Sequence, residues 1–202
     1  ITYNGGLVRS MAGETLWHRP VPQALIPPLI DIAREEGVCL NLYVDDTLYV
    51  ESAEDERVRY YVQIAGVEAV EVGDIRVAAR RGESTKCLLV GEADQVPGLI
   101  EKLRPRFPEL QISRSKPRFV EVTRQGIRKE VALEAVAGAY GIPMEAVMAL
   151  GDGDNDATML ARAGWGVAVA NASPGAREAA DAVTQAPRGL GVAEALRRFV
   201  LV

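Results

Sequence analysis

The residues with the clearest chemical potential are Gly151-Asp152-Gly153-Asp154-Asn155-Asp156, which follow the apolar run AVMAL and precede the helical pattern ATMLARAG. Three carboxylates within five residues repel one another, and a cation among them relieves that repulsion. A few oxygen ligands supplemented by water and a substrate phosphate are what Mg²⁺ selects. The two glycines let the backbone come close to whatever is bound. A calcium loop of the D-x-D-x-D type is excluded, because Ala157 stands at its sixth position and Ala163 at its twelfth. Helix capping needs one acid at the N-cap and welcomes a second in the first turn, which leaves the third carboxylate unexplained.

A further candidate is Arg128-Lys129 at the start of the helical pattern RKEVALEAVAGAY. Positive charge there opposes the helix macrodipole, and it becomes favourable when an anion sits between the lysine and the free N–H groups of the first turn. Asn4-Gly5-Gly6, and Asn171 ahead of Ser173 and Pro174, are each explained by a turn or a cap when taken alone. Asp45 and Asp46 read as a solvated turn between two strands. His18 is the single histidine, and no Ser or Cys in a nucleophile-elbow context accompanies it. Cys39 and Cys87 lie in apolar runs, as buried reduced thiols do.

The elements that must position these groups fall into two patterns. From residue 19 to about 123 strands alternate with helices: a helix LIDIAREEG begun by Pro27 and Pro28 and ended by Gly37, a hairpin VCLNLYV/TLYVES, a helix from Ala53 to Ala65, a strand KCLLVG, a helix weakened by Pro97, and a strand pair around Lys116 and Pro117. The stretch from Gly66 to Ser84 carries no assignable pattern. The opening Ile1 to Asn4 reads as a short buried strand, followed by a hairpin turned at Ala12 and Gly13. After Arg128, short uniformly apolar strands alternate with short helices, which indicates a parallel sheet covered on both faces.

The 202 residues suffice for one domain or two small ones, and 48% hydrophobic with 25% charged residues is ordinary for a globular chain. The net charge of −5, with basic residues scattered, gives no nucleic-acid footprint. No apolar run reaches the roughly 18 to 20 residues of a membrane span. A cytoplasmic protein with no membrane or nucleic-acid partner is expected.

A strand ending in NGG, a large α/β insertion, a lysine at a helix start, GDGDND, the strand GVAVANA and the tail DAVTQAPRGLGVAEAL, in this order, resemble the Cof-like phosphatases of the haloacid dehalogenase-like superfamily. The resemblance implies an α/β fold, a Rossmann-like parallel-sheet core from residues 1–18 and 124–202 with an inserted α+β cap from 19–123. It implies a Mg²⁺-dependent phosphatase acting on a small phosphorylated metabolite through a phospho-aspartyl intermediate. Asp152 would ligate the metal, Asn155 and Asp156 would complete the metal site, and Lys129 would clamp the phosphoryl group. Lys129, Asp152 and Asp156 would form the catalytic set, while Asn4, Gly5, Asn155 and Asn171 would lie near the substrate. Arg128 and Glu130 depart from the family's small residues on either side of the lysine. The family's nucleophilic D-x-D motif does not occur in these residues, and covalent catalysis needs that carboxylate. Roughly two βα units carrying it are expected upstream of Ile1. A phosphomutase and a non-catalytic phosphate- or metal-binding module are the alternatives.

Overall fold

The computed structural model describes residues 1–201. The chain divides into two compact units, Ile1–Trp17 with Arg128–Val202, and His18–Ile127.

The first unit opens with β1 (Leu7–Arg9) and β2 (Thr15–His18), a two-stranded sheet turned where the Ser10 hydroxyl accepts from the N–H groups of Ala12 and Glu14. The expected strand at Ile1–Asn4 is not formed. Thr2 makes a single bridge to Leu7, and Tyr3–Gly5 is a 3₁₀ turn in which Tyr3, Asn4 and Gly5 all have positive φ (51°, 56° and 103°). The chain reverses at once at Gly5, so the residues expected to extend are used in the turn, and Ile1 and Thr2 are exposed.

In the second unit α1 (Ile26–Glu35) carries prolines in its first turn, where their missing N–H groups have no helical partner to lose. The hairpin β3 (Cys39–Val44) and β4 (Thr47–Val50) is closed by Asp45 and Asp46, both exposed and both left-handed (φ 48° and 60°). Two left-handed central residues make the turn whose twist matches paired strands. Asp55 caps α2 (Glu56–Ala65), accepting from the Arg57 N–H at 2.8 Å. The unassigned stretch contains β5 (Ala69–Glu71), parallel to β4, and α3 (Ile75–Ala79). Elements of three and five residues are too short for periodicity to register. Then come β6 (Ser84–Val90), α4 (Gln95–Leu103), β7 (Leu110–Lys116) and β8 (Phe119–Arg124). Pro97 is accommodated within the first turn of α4. The six strands order as β5-β4-β3-β6-β8-β7. Leu29, Ile30, Leu42, Leu89, Leu103 and Val122 are among the fully or almost fully buried side chains of this unit's core.

The first unit resumes with α5 (Lys129–Ala139), β9 (Met148–Gly151), α6 (Ala157–Arg162), β10 (Trp165–Ala168), α7 (Pro174–Ala179), β11 (Ala182–Val183) and α8 (Arg188–Phe199). Its sheet is parallel, ordered β11-β10-β9, as the uniformly apolar strands require. Leu160, Ala168, Val169 and Ala176 form the core. Most of these side chains are small, and glycines let the elements approach closely. A Cβ on Gly166 would lie 2.4 Å from the Leu160 carbonyl oxygen, and one on Gly164 2.2 Å from that of Glu145.

Candidate functional site

Parallel pairing of β9 with β10, Gly151 opposite Ala168, brings two loops to the same carboxyl edge of the sheet. Residues 152–156 leave β9 there, and residues 169–173 leave β10. They are tied together by the Val169 N–H donating to the Gly151 carbonyl at 3.2 Å and the Ser173 N–H to that of Asp152 at 2.8 Å. In open α/β sheets this edge is where ligands bind.

Asp156 is the centre of the arrangement. Its side chain turns back over the strand end, where Oδ2 accepts from the Asp152 and Gly153 N–H groups, each at 3.0 Å. Its Oδ1 accepts from Lys129 Nζ at 2.5 Å. A Cβ on Gly151 would sit 2.5 Å from that of Asp156, so glycine is required for the carboxylate to fold in. Burial pushes the Asp156 carboxyl up, but the Lys129 bond and the two N–H donors outweigh it and hold the group below its ordinary value.

The other two carboxylates part company. Asp154 turns outward and accepts from the Ser173 hydroxyl at 2.6 Å, while Asp152 is exposed. Repulsion among the three is therefore relieved largely by protein donors, and of the three only the Asp152 carboxylate accepts no side-chain hydrogen bond among the described residues. Among the described residues no three His, Cys, Asp or Glu side chains converge as a metal cluster. A hard cation here would rest on Asp152, with water and ligand oxygens filling its remaining positions, as Mg²⁺ commonly does.

The charge change around Lys129 is settled locally. Arg128 Nε lies 2.8 Å from Glu130 Oε1, and the Thr158 hydroxyl donates to Glu130 Oε2 at 2.6 Å. The additional acid is thus occupied by its own neighbours, and Lys129 remains directed at Asp156.

A cavity of about 600 Å³ opens at this edge, lined by Asn4, Lys129, Asp152, Asp156, Met159 and Arg188 among others. Of the residues singled out in the sequence, Asn4, Lys129, Asp152 and Asp156 meet there. Gly5, Asn155 and Asn171 are absent from the lining. Each supports it instead: Gly5 packs where a Cβ would fall 2.5 Å from the Arg128 carbonyl oxygen, Asn155 Nδ2 donates to Asn4 Oδ1 at 3.2 Å, and Asn171 Oδ1 accepts from the Arg188 N–H at 2.8 Å. Sequence reasoning overlooked Arg188 and Ser173. Arg188 lies in a tail with no charge pattern of its own. Ser173 resembles an ordinary N-cap, a role it also has toward Ala176.

A family model described as haloacid dehalogenase-like hydrolase matches residues 1–196. A phosphoglycolate phosphatase of Methanothermobacter thermautotrophicus is 49% identical over 81 residues, 40% of this chain and 37% of that protein. A Bacillus subtilis 5-amino-6-(5-phospho-D-ribitylamino)uracil phosphatase is 44% identical over 103 residues, 51% of this chain and 41% of that protein. These matches span less than half the length of either relative. Among solved structures, a haloacid dehalogenase-like hydrolase from Bacteroides thetaiotaomicron superposes with a TM-score of 0.88 at 31% identity, over 97% of this chain and 74% of that one. A Thermotoga maritima protein superposes with a TM-score of 0.91 at 26% identity, over 98% and 74%. With its parallel β9–β11 sheet, the loop of Asp152–Asp156 at that sheet's carboxyl edge and a match along nearly all its length, the chain belongs to the haloacid dehalogenase-like hydrolases.

Proposed function

We propose that this chain is the larger part of a Mg²⁺-dependent phosphatase that hydrolyses a small phosphorylated metabolite. The observation that carries this reading is that Lys129 and Asp152 line one cavity at the carboxyl edge of β9, fixed relative to each other through Asp156. Lys129 supplies the positive charge that a phosphoryl group needs, and its link to Asp156 holds it in place before the ligand arrives. Asp152 offers free carboxylate oxygens for the metal, with Asn155 and Asp156 completing the site through the loop and the metal's waters. When bound, Mg²⁺ would neutralise charge on the phosphoryl oxygens. Asn4, anchored by Asn155, presents an amide to the same cavity.

In this reading the nucleophile is a carboxylate upstream of Ile1, which attacks phosphorus as the ester P–O bond breaks and the protonated alcohol leaves; water then hydrolyses the phospho-aspartyl intermediate to phosphate and the regenerated carboxylate. The His18–Ile127 unit acts as the cap that selects the leaving group and excludes water. Relatives named as phosphatases of phosphoglycolate and of a ribitylamino-uracil phosphate support the substrate class.

The test is Mg²⁺-dependent release of phosphate from p-nitrophenyl phosphate, with the present chain and with the protein extended upstream of Ile1. Activity is expected only in the extended protein, and Asp152→Asn should abolish it while weakening Mg²⁺ binding by about tenfold or more. Turnover by the present chain alone, or unchanged Mg²⁺ affinity in the variant, would overturn the assignment.

A further inference from the structure

Ser173 makes more bonds than the cap of a six-residue helix needs. As the N-cap of α7 its hydroxyl accepts from the Ala176 N–H at 3.4 Å, a long bond. Its short bond goes the other way: the hydroxyl donates to Asp154 Oδ1 at 2.6 Å, while the Ser173 N–H donates to the Asp152 carbonyl at 2.8 Å. One serine thus grips the loop after β9 through both Asp152 and Asp154. The hydroxyl bond is charge-assisted, and so the stronger of the two.

Room for this bond is built into the sequence Ser173-Pro174-Gly175. A Cβ on Gly175 would fall 2.9 Å from Asp154 Oδ1, so any larger residue there would crowd the carboxylate. Gly175 is not among the glycines with positive φ, and it is therefore space rather than backbone conformation that asks for glycine.

The consequence falls on Asp152. Its N–H is held by Asp156 Oδ2 at 3.0 Å and its carbonyl by Ser173. The peptide groups on either side of Asp152 are both pinned, and with them the direction of its Cα–Cβ bond. Asp154 stays turned toward Ser173 and out of the proposed metal site. Mg²⁺ demands near-ideal octahedral geometry with short bonds, whereas Ca²⁺ accepts more oxygens in flexible arrangements. A carboxylate fixed in direction therefore favours the smaller ion, and one free to swing serves the larger ion equally well.

We propose that Ser173 and Asp154 are positioning residues which, acting through Asp152, give the metal site its preference for Mg²⁺ over Ca²⁺. This rests on the reading of Asp152 as a metal ligand.

The experiment titrates Mg²⁺ and Ca²⁺ calorimetrically into the protein extended upstream of Ile1 and reads the ratio of the two affinities. Ser173→Ala keeps the backbone N–H and removes the hydroxyl. Mg²⁺ affinity should then fall about fivefold, the scale of one hydrogen bond, with Ca²⁺ affinity within about twofold of the parent. Asp154→Ala, an exposed change that leaves the serine cap in place, should shift the ratio by the same factor and carries the test even if Ser173→Ala unfolds α7. The double variant should shift it no further, because both substitutions remove one and the same bond. Asp154→Asn loses the charge but keeps an acceptor oxygen for Ser173, so both affinities should fall together and their ratio stay within about twofold. Ser173→Thr should restore the parent ratio. Equal effects on both ions in Ser173→Ala, additive shifts in the double variant, or a ratio shift in Asp154→Asn as large as in Asp154→Ala would overturn the proposal. A parent protein that binds neither ion would instead remove Asp152 as a metal ligand, and this inference with it.

Discussion

Replacing Asp156 by Asn tests the centre of the site with almost no change of shape. The Asp156 side chain is 6% exposed and its carboxylate accepts three hydrogen bonds, two from N–H groups at 3.0 Å and one from Lys129 at 2.5 Å. With the amide oxygen in place of Oδ2, both N–H bonds survive but lose their charge-assisted part, about 1 kcal/mol together. The amide nitrogen would then face the Lys129 ammonium, donor against donor. Removing one partner of a fully buried ion pair costs about 3–5 kcal/mol, and an exposed pair contributes about 0–1 kcal/mol. The Lys129 side chain is 26% exposed, which places this loss between those limits, at about 2 kcal/mol. A total of about 3 kcal/mol at pH 7 is expected. Trp17 and Trp165 both belong to the Ile1–Trp17 and Arg128–Val202 unit, so tryptophan fluorescence during urea unfolding reads it selectively. A double-mutant cycle with Lys129→Met should give a coupling of about 1–2 kcal/mol. Because the folded carboxyl titrates below its ordinary 3.8, its contribution is complete above that pH and is lost as pH falls through the folded value. The gap between parent and variant should therefore narrow only below pH 3.8. A loss under about 0.5 kcal/mol at pH 7, or a gap indifferent to acid, would show that Asp156 does not organise the site.

Gly5→Ala should destabilise the same unit by more than about 2 kcal/mol on the fluorescence assay, since φ is 103° and the new Cβ would lie 2.5 Å from the Arg128 carbonyl oxygen. Asp55→Ala should cost about 1 kcal/mol through the lost cap of α2, read by far-ultraviolet circular dichroism. Hydrogen bonding by Arg57 lowers the Asp55 carboxyl to about 2, so that difference should be full above pH 3.8 and fade toward pH 2. Cys39 and Cys87, buried and pushed up to about 12 chiefly by desolvation, should resist a thiol reagent at about pH 8 in the folded chain and react in denaturant.

The parallel sheet is legible in the sequence because β9 and β10 are apolar on both faces, and the loop is legible because GDGDND allows few alternatives. The hairpin at Asp45 and Asp46 is visible from turn chemistry. Local signals do not show how the carboxylates divide. Asp152, Asp154 and Asp156 are alike in the chain, and only the folded partners, a lysine, two N–H groups and the Ser173 hydroxyl, give each its own state. Ile1–Asn4 misleads for a related reason: an apolar start followed by glycines suits a strand end and a tight reversal equally, and the single bridge to Leu7 decides between them.

The charges around Lys129 show why composition alone misjudges such a site. Read along the chain, Arg128 and Glu130 disturb the surroundings of Lys129, the lysine proposed to hold the phosphoryl group. Folded, they neutralise each other at 2.8 Å, and Thr158 from α6 fixes the glutamate from the other side. The pair therefore binds α5 to α6 without adding net charge next to the cavity. On this account Glu130→Gln should strand Arg128 and loosen the α5–α6 contact, lowering stability by about 1 kcal/mol. It should leave Mg²⁺ affinity within about twofold, because the carboxylate lost is already bonded to Arg128 and Thr158 and Asp152, the metal ligand of the proposed function, is untouched. A large rise in Mg²⁺ affinity would mean that Glu130 competes for the ion, and the two helices would then owe their docking to something else.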